Sequence, residues 1–390
     1  MTLRKAAVVI LVMVIAWIPQ PSVASSSATS LLEDFIHYAM TAQVPMAEAS
    51  AEALLSEELS PAELAAIVDA DPRIQSRLPT AIRWAREVPA LSEIAGQLEV
   101  AVERGRRDRA RDTSRIDEAI VMLSGTRRAR QLAHDRLVEA GEYAVPPMLS
   151  ILMDPATSPE IALGVRQTLP SLGREAVLPM ARALPSLPES QQITIINALA
   201  DIGYPHAGAA LVEVMRVDGQ SDVVHSAAGR ALKRLGWSNP DAIILSDLHA
   251  QMAEDYLREM EHLRARPTLV PRQDGSVVSM QNVWRWDPQG GLVSELVPSD
   301  LYWPVMAVRH AHLARQLSGD DQRALAMFVA GNLRLANRIG DRDLTLPLPQ
   351  MQRSPDFHAT IHGPDVARAV LLMSIDQEDA EMARDALAAL

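Results

Sequence analysis

Four short stretches with one shared pattern decide the fold: Leu137-Val138-Glu139-Ala140-Gly141, Leu169-Pro170-Ser171-Leu172-Gly173, Leu199-Ala200-Asp201-Ile202-Gly203 and Leu232-Lys233-Arg234-Leu235-Gly236. Each has the form Leu-x-x-apolar-Gly, and the glycines are 32, 30 and 33 residues apart. A fixed period of this length with two helical patterns per unit is typical of an α-solenoid, in which each helix pair buries its apolar face against its neighbours. We expect each glycine to adopt the left-handed conformation that ends a helix.

A second shared feature follows three of these glycines. Apolar stretches rich in alanine and proline open the first helix of each pair, where a missing amide hydrogen costs little. They are Ala144 to Leu149, Ala176 to Met180 and Ala207 to Leu211. The spacing of the next apolar residues predicts that the second helices begin near Pro159, Glu189 and Asp222.

These residues resemble the HEAT-repeat family, and the stretch from Gly141 to Pro146 is similar to that of exported bacterial HEAT-repeat-domain proteins. The resemblance covers residues 130–236. It implies an all-α fold, a right-handed α-solenoid of HEAT-like helix pairs. The alternation of apolar residues described below adds a small inserted β-hairpin at about 276–297. Many short HEAT repeats place an arginine seven residues before the leucine of the pattern, as Arg130 does here. The later units depart from this and carry Ala162, Gln192 and His225.

The first residues have the anatomy of an export signal. Arg4 and Lys5 precede the apolar stretch 6–18, and Ser22-Val23-Ala24 supplies small residues for cleavage after Ala24. The rival interpretation is a membrane anchor, but a helical span needs about 20 apolar residues, and prolines interrupt this stretch too early. The sequence therefore predicts a signal peptide at 1–24, a periplasmic or secreted protein, and no stable membrane span after cleavage.

Composition narrows the classes of function. The chain has 390 residues, no cysteine and a formal net charge of -12. Disulfides, thiolate metal sites and cysteine nucleophiles are therefore excluded, and the negative charge argues against nucleic acid as a partner. The basic cluster from Arg104 to Arg111 is mixed with acids and lacks aromatic neighbours, so we expect a solvated helix end or linker there.

The order of patterns along the chain predicts the domain organisation. We expect a flexible leader at 25–30, an irregular helical region at 31–112, the HEAT-repeat solenoid at 113–264, a β-hairpin insertion at 265–300, a tetratricopeptide-like helical pair at 301–340, a Pro-rich loop at 341–362 and a further HEAT-like unit at 363–390. That last unit closes with Leu387-Ala388-Ala389-Leu390, the same pattern without its glycine, so we expect further repeats to follow it in a longer protein.

The hairpin carries an unusual share of the aromatic residues. Alternation of apolar residues places Trp284 and Trp286 on one strand face, and residues 287–291 supply turn chemistry. With Tyr302 and Trp303 they place four aromatic rings within 20 residues. These rings either cap the end of the repeat stack or form an aromatic platform for a sugar or peptide ligand.

Catalytic and metal-binding patterns are weak. His358 and His362 have metal-ligand spacing if helical, with Asp356 nearby, but the glutamate of the zinc-hydrolase motif is missing. No phosphate-binding loop, dinucleotide fingerprint or nucleophile elbow occurs, so we expect no cofactor.

The sequence favours an exported, non-catalytic scaffold that binds a protein partner. The predicted partner-binding residues are polar side chains of the second helices together with the hairpin tryptophans: Gln191, Asn197, His225, Arg230, Lys233, Trp284 and Trp286. Two alternatives stay open: an enzyme or lyase-like protein built on a helical-repeat scaffold, and an aromatic-platform binder of a glycan or peptide.

Overall fold

A computed structural model describes residues 23–217, 219–271, 277–342, 344–348, 357 and 360–390. Helices dominate these residues and a small antiparallel sheet interrupts them, which confirms the predicted mostly-α fold with a β insert. The chain divides into two compact units, one through Arg109 and one from Ala110 to Leu390. The predicted signal peptide lies almost wholly outside the described residues.

The described part of the first unit, from Val23 onward, contains five helices. They are α1 (Val23–Met40), α2 (Val44–Ser56), α3 (Pro61–Ala70), α4 (Pro72–Glu87) and α5 (Ser92–Ala110). Apolar residues at helical spacing, such as Leu32, Phe35 and Leu78, are fully buried between them. The predicted flexible leader at 25–30 is wrong in this structure, because these residues belong to α1 and Ala28 is buried in the core.

Local chemistry fixes the ends of these helices. Ser60 accepts a hydrogen bond from the Glu63 amide, and the Glu63 carboxylate accepts one from the Ser60 amide, so the predicted capping box is present at the start of α3. The basic cluster lies in the last turns of α5. Its Arg106 and Arg109 both reach Asp69 of α3, at 3.1 and 2.9 Å.

The second unit contains the repeats. Its helices are α6 (Thr113–Met122), α7 (Arg127–Ala140), α8 (Val145–Met153), α9 (Pro159–Thr168), α10 (Val177–Ala183), α11 (Glu189–Ile202), α12 (Gly208–Arg216), α13 (Asp222–Arg234), α14 (Leu245–Leu257), α15 (Ser299–Leu317), α16 (Gln322–Ile339), α17 (Pro364–Asp376) and α18 (Ala380–Ala388). The second helices begin at Pro159, Glu189 and Asp222, which confirms the prediction for α9, α11 and α13. Each packs on the helix before it, and α11 also packs on α13.

The repeat glycines turn the chain in two different ways. Gly203 has φ 72° and ψ 25°, the left-handed conformation that the sequence predicts. Gly141 and Gly173 also have positive φ, but their ψ values of -124° and -161° are extended. The prediction of a left-handed cap is therefore wrong at these two positions. The chain leaves each of them along a short 3-10 turn, at Gly141–Ala144 and Arg174–Ala176.

The β insert is a three-stranded antiparallel sheet. Strands β2 (Val277–Asp287) and β3 (Gly291–Pro298) form the predicted hairpin, with Trp284 opposite Ser294. The sequence missed strand β1 (Thr268–Pro271), which pairs with the outer edge of β2 in the order β1-β2-β3. Four residues ending in proline are too short to show alternation, so only pairing with β2 makes them a strand.

The helices after the sheet form a second core with α14. Tyr256 of α14 and Tyr302 of α15 are fully buried, and their rings meet edge to face with centroids 6.1 Å apart. Helices α15 and α16 occupy the predicted tetratricopeptide-like region and pack on each other. None of the helices in the described part of the chain combines the length and apolarity needed to cross a bilayer.

A close approach in the first unit gives a stability test. A Cβ added at Gly105 of α5 would lie 1.7 Å from the carbonyl oxygen of Pro61, whereas one at Gly96 of the same helix would meet nothing within 4 Å. We expect Gly105→Ala to lower the free energy of unfolding by about 2 kcal/mol or more, because backbone must move. Gly96→Ala should raise it by about 0.5 to 1 kcal/mol. Urea unfolding of both variants checks this; equal stability would contradict the packing of α3 on α5.

Candidate functional site

A buried carboxylate joins the repeats to the sheet. Glu142 follows Gly141 in the 3-10 turn and is only 5% exposed. Its Oε1 accepts a hydrogen bond from Asn282 Nδ2 and its Oε2 accepts one from Trp284 Nε1, both at 2.7 Å. Burial raises the pKa of Glu142, and the two donors act against that rise by stabilising the charged form. Two side chains of β2 are thereby held against the turn between α7 and α8.

A cavity of about 610 Å³ lies beside this junction, in the second unit. Its walls come from α10, α12, α14, strands β2 and β3, α15 and the segment 346–348. Trp286, Met306 and Leu313 supply apolar surface. This is the size and mixed lining of a small-molecule site.

Four histidines line the cavity: His206, His249, His310 and His312. His206 Nε2 lies 3.0 Å from the hydroxyl of Tyr256, and the Tyr256 ring stacks on His310 with centroids 5.5 Å apart. Burial lowers the pKa of His206 and of His249 to about 4. It places the pKa of His310 well below the usual value. The rings of His206, His249 and His310 are therefore neutral at pH 7, and burial lowers the pKa of His312 as well.

The contact between two of these rings fixes their proton positions. His249 Nδ1 and His310 Nδ1 are 3.0 Å apart. Because both rings are neutral, one Nδ1 must carry the hydrogen and the other must accept it. The two Nε2 atoms are then of opposite kind: one accepts hydrogen bonds and the other donates them. Neither Nε2 has a hydrogen-bond partner among the described residues.

Two arginines bring positive charge into the cavity. Arg182 is exposed on α10, and Arg309 of α15 donates from Nη2 to the carbonyl oxygen of Trp284 at 2.9 Å. Burial, aided by nearby Arg182, lowers the pKa of Arg309 to about 10, so it stays charged at neutral pH. Within the part of the chain that the structure describes, neither guanidinium forms an ion pair with a carboxylate.

The carboxylates of the cavity differ in their partners. Glu295 is paired with Arg285, with Arg285 Nε 2.6 Å from Oε1, so this charge is compensated. Glu213 of α12 has no hydrogen bond to a described residue. Burial raises the pKa of Glu213, and Arg182 opposes the rise. The cavity thus holds two unpaired cations and one carboxylate that is easily protonated.

The structure separates the residues that the sequence singled out. Trp284 is 5% exposed and packs with the repeat core, whereas Trp286 is only partly buried, and both line the cavity. The polar residues of the second helices lie outside it: Gln191, Asn197, His225, Arg230 and Lys233. Gln191 donates to the carbonyl oxygen of Leu152 at 2.7 Å.

The weak metal-ligand candidates near the Pro-rich loop lie mostly outside the described residues. Asp356 and His358 lie outside the described residues, and His362 lies just before α17. Across the described ranges, no group of three or more His, Asp or Glu side chains is arranged to hold a metal ion.

Sequence reasoning missed most of the cavity residues. Four cavity residues belong to no recognisable motif: Arg182, Glu213, His249 and Arg309. They lie on four different helices, α10, α12, α14 and α15, and Arg309 is followed directly by the cavity residue His310. One signal was available: Glu142 directly follows a repeat glycine and precedes the apolar start of α8, where an acid must be either exposed or paired.

The junction gives a second test. Trp284→Phe removes the indole hydrogen that Glu142 accepts and leaves a buried carboxylate oxygen without a donor. We expect a loss of about 2 kcal/mol in the free energy of unfolding at pH 7. Trp286→Phe, two residues along the same strand face, should cost well under about 1 kcal/mol, because its indole nitrogen donates to no described residue. Chemical unfolding measures both, and equal costs would show that the Glu142 bond contributes nothing.

Comparison with known proteins identifies no relative: no family model, no curated protein and no solved structure matches this chain. The site combines an apolar wall, neutral hydrogen-bonding rings and two guanidinium groups without ion-pair partners among the described residues.

Proposed function

We propose that this chain is an exported HEAT-like repeat protein that binds a small acidic ligand in the cavity. The observation that carries the proposal is the pair of cavity arginines, Arg182 and Arg309, without carboxylate partners among the described residues. A partly buried cation without a counter-ion pays a desolvation cost. A ligand carboxylate placed between the two guanidinium groups supplies the missing charge, and arginine binds carboxylates through two parallel hydrogen bonds.

The remaining lining supports a ligand with a ring. Trp286 is partly exposed on the cavity wall, and an indole face packs well against the apolar face of a sugar or other ring. The predicted aromatic-platform binder is thus the alternative that the cavity favours, with Trp286 as the platform. Trp284, which is buried and bonded to Glu142, supports the wall from behind.

A second proposal concerns the outer face of the repeats. Asn197, Arg230 and Lys233 stay exposed on α11 and α13 and lie outside the cavity. This supports the scaffold function that the HEAT resemblance implies, in which the second helices contact a protein partner. The two proposals use different surfaces, so a protein partner and a small ligand can be bound at the same time.

The binding test uses two sugars that differ only at C6, which is a carboxylate in D-galacturonate and a hydroxymethyl group in D-galactose. Calorimetry should show that D-galacturonate binds and that D-galactose binds at least about tenfold more weakly, since a charge-assisted hydrogen bond contributes about 1.5 to 3 kcal/mol. Arg182→Met should weaken galacturonate binding about tenfold or more. Arg230→Met removes the same charge outside the cavity and should leave affinity unchanged. Equal affinity of the two sugars, or equal effects of the two variants, would contradict the proposal.

The affinity should also depend on pH through Glu213. Burial raises its pKa, so its charge, which repels an acidic ligand, develops as pH rises through that raised value. Affinity for galacturonate should therefore fall as the pH rises through that raised value, while His206 and His249, with pKa values of about 4, stay neutral. Glu213→Gln should bind more tightly at pH 8 and show a flat profile. A wild-type profile that is already flat would exclude this role for Glu213.

A further inference from the structure

A second cavity adjoins the first. It has a volume of about 260 Å³, and Leu178 and His206 line both cavities. Glu142 lines the second cavity, while its hydrogen-bond partners Asn282 and Trp284 line the first. The same side chains therefore form part of the wall of both cavities, and a single layer of residues separates the two.

The second cavity is also rich in arginine. Arg174, Arg264 and Arg266 line it, and all three are exposed. Arg174 lies over the Tyr204 ring, 5.9 Å from its centroid, and donates to the carbonyl oxygen of Arg264 at 3.3 Å. These contacts hold its guanidinium group in place without neutralising it.

Acidic groups in this cavity do not cancel that charge. Glu175 is 3.5 Å from Arg266, and Glu142 accepts its hydrogen bonds from Asn282 and Trp284 rather than from an arginine. Arg264 pairs with Glu261 at 3.1 Å. Arg174 has no carboxylate partner in the described chain, so the second cavity repeats the chemistry of the first: an unpaired guanidinium beside an aromatic ring.

The hydrogen-bonding groups of the first cavity distinguish among acidic ligands. The His249 and His310 pair offers one Nε2 that donates and one that accepts. A hydroxyl group both donates and accepts, and it matches this pair without any change of charge. Benzoate and unsubstituted fatty acids carry no hydroxyl group on the ring or chain. Sugars do, and a uronic acid carries hydroxyl groups together with the carboxylate that the arginines require.

We propose that the two cavities are adjoining subsites for an oligosaccharide of uronic acid units, with one acidic unit at Arg182 and Arg309 and the next at Arg174. The inference rests on the proposed function, because the first subsite is the cavity described above. It adds the ligand class and the second subsite. Two units in a chain match two cavities that share His206 and Leu178, each with an aromatic ring and an arginine.

The experiment compares D-galacturonate with digalacturonate by calorimetry on the full chain. Wild-type protein should bind the dimer at least about tenfold more tightly than the monomer, because the second carboxylate gains a charge-assisted hydrogen bond. Arg174→Met/Arg266→Met should abolish this gain and leave monomer affinity within about twofold, since distant sites act independently. Arg230→Met/Lys233→Met removes two exposed cations outside both cavities and should preserve the gain.

The outcomes separate the two proposals. Monomer binding without any gain for the dimer overturns the two-subsite inference and leaves the proposed function intact. A dimer gain that survives Arg174→Met/Arg266→Met also overturns it. Tighter binding of triglutamate than of digalacturonate overturns the sugar class. Absence of binding by either sugar overturns the inference and counts against the proposed function. Melting temperatures of all variants show whether each is folded, and Arg174→Lys, which keeps the charge, should retain part of the gain.

Discussion

The structure of the second unit depends on the buried carboxylate of Glu142. A carboxylate removed from water is stable only if donors replace the water, and here Asn282 and Trp284 of β2 do so. The same Asn282 also donates to the Tyr143 hydroxyl, which lies 3.2 Å from Thr268 of β1. One turn of the repeats thus determines where two strands lie. The hairpin of β2 and β3 would be marginally stable alone, so its attachment to the repeats contributes to the stability of the sheet.

The position of the sheet in turn determines the geometry of the cavity. Trp284 connects three elements: its indole nitrogen reaches Glu142, its backbone pairs with β3, and its carbonyl oxygen accepts a hydrogen bond from Arg309 of α15. Arg309 is thereby held at the cavity while its charge remains unpaired. The sheet packs against both the repeat helices and α15, and these three parts of the structure enclose the cavity.

Burial has opposite consequences for the acids and the bases of the site. It keeps the histidines neutral and raises the pKa of Glu213, while the arginines remain charged because their intrinsic pKa is so high. The result is a lining whose net charge is positive although the protein carries a net charge of -12. A local field can therefore oppose the overall charge, and recognition of acidic ligands is compatible with an acidic protein.

The sequence by itself determined the helix pairs, their starting residues and the hairpin, because these follow from contacts between residues close in the chain: apolar spacing, capping residues and turn residues. It also identified Trp286, since strand alternation fixes which face a side chain occupies. Only the tertiary structure decided strand β1, the partners of Glu142 and the meeting of Arg182, Glu213, His249 and Arg309. Trp284 and Glu142 are 142 residues apart, and no local pattern links them. A pKa or an unpaired charge depends on distances between separate helices, which local propensities leave undetermined.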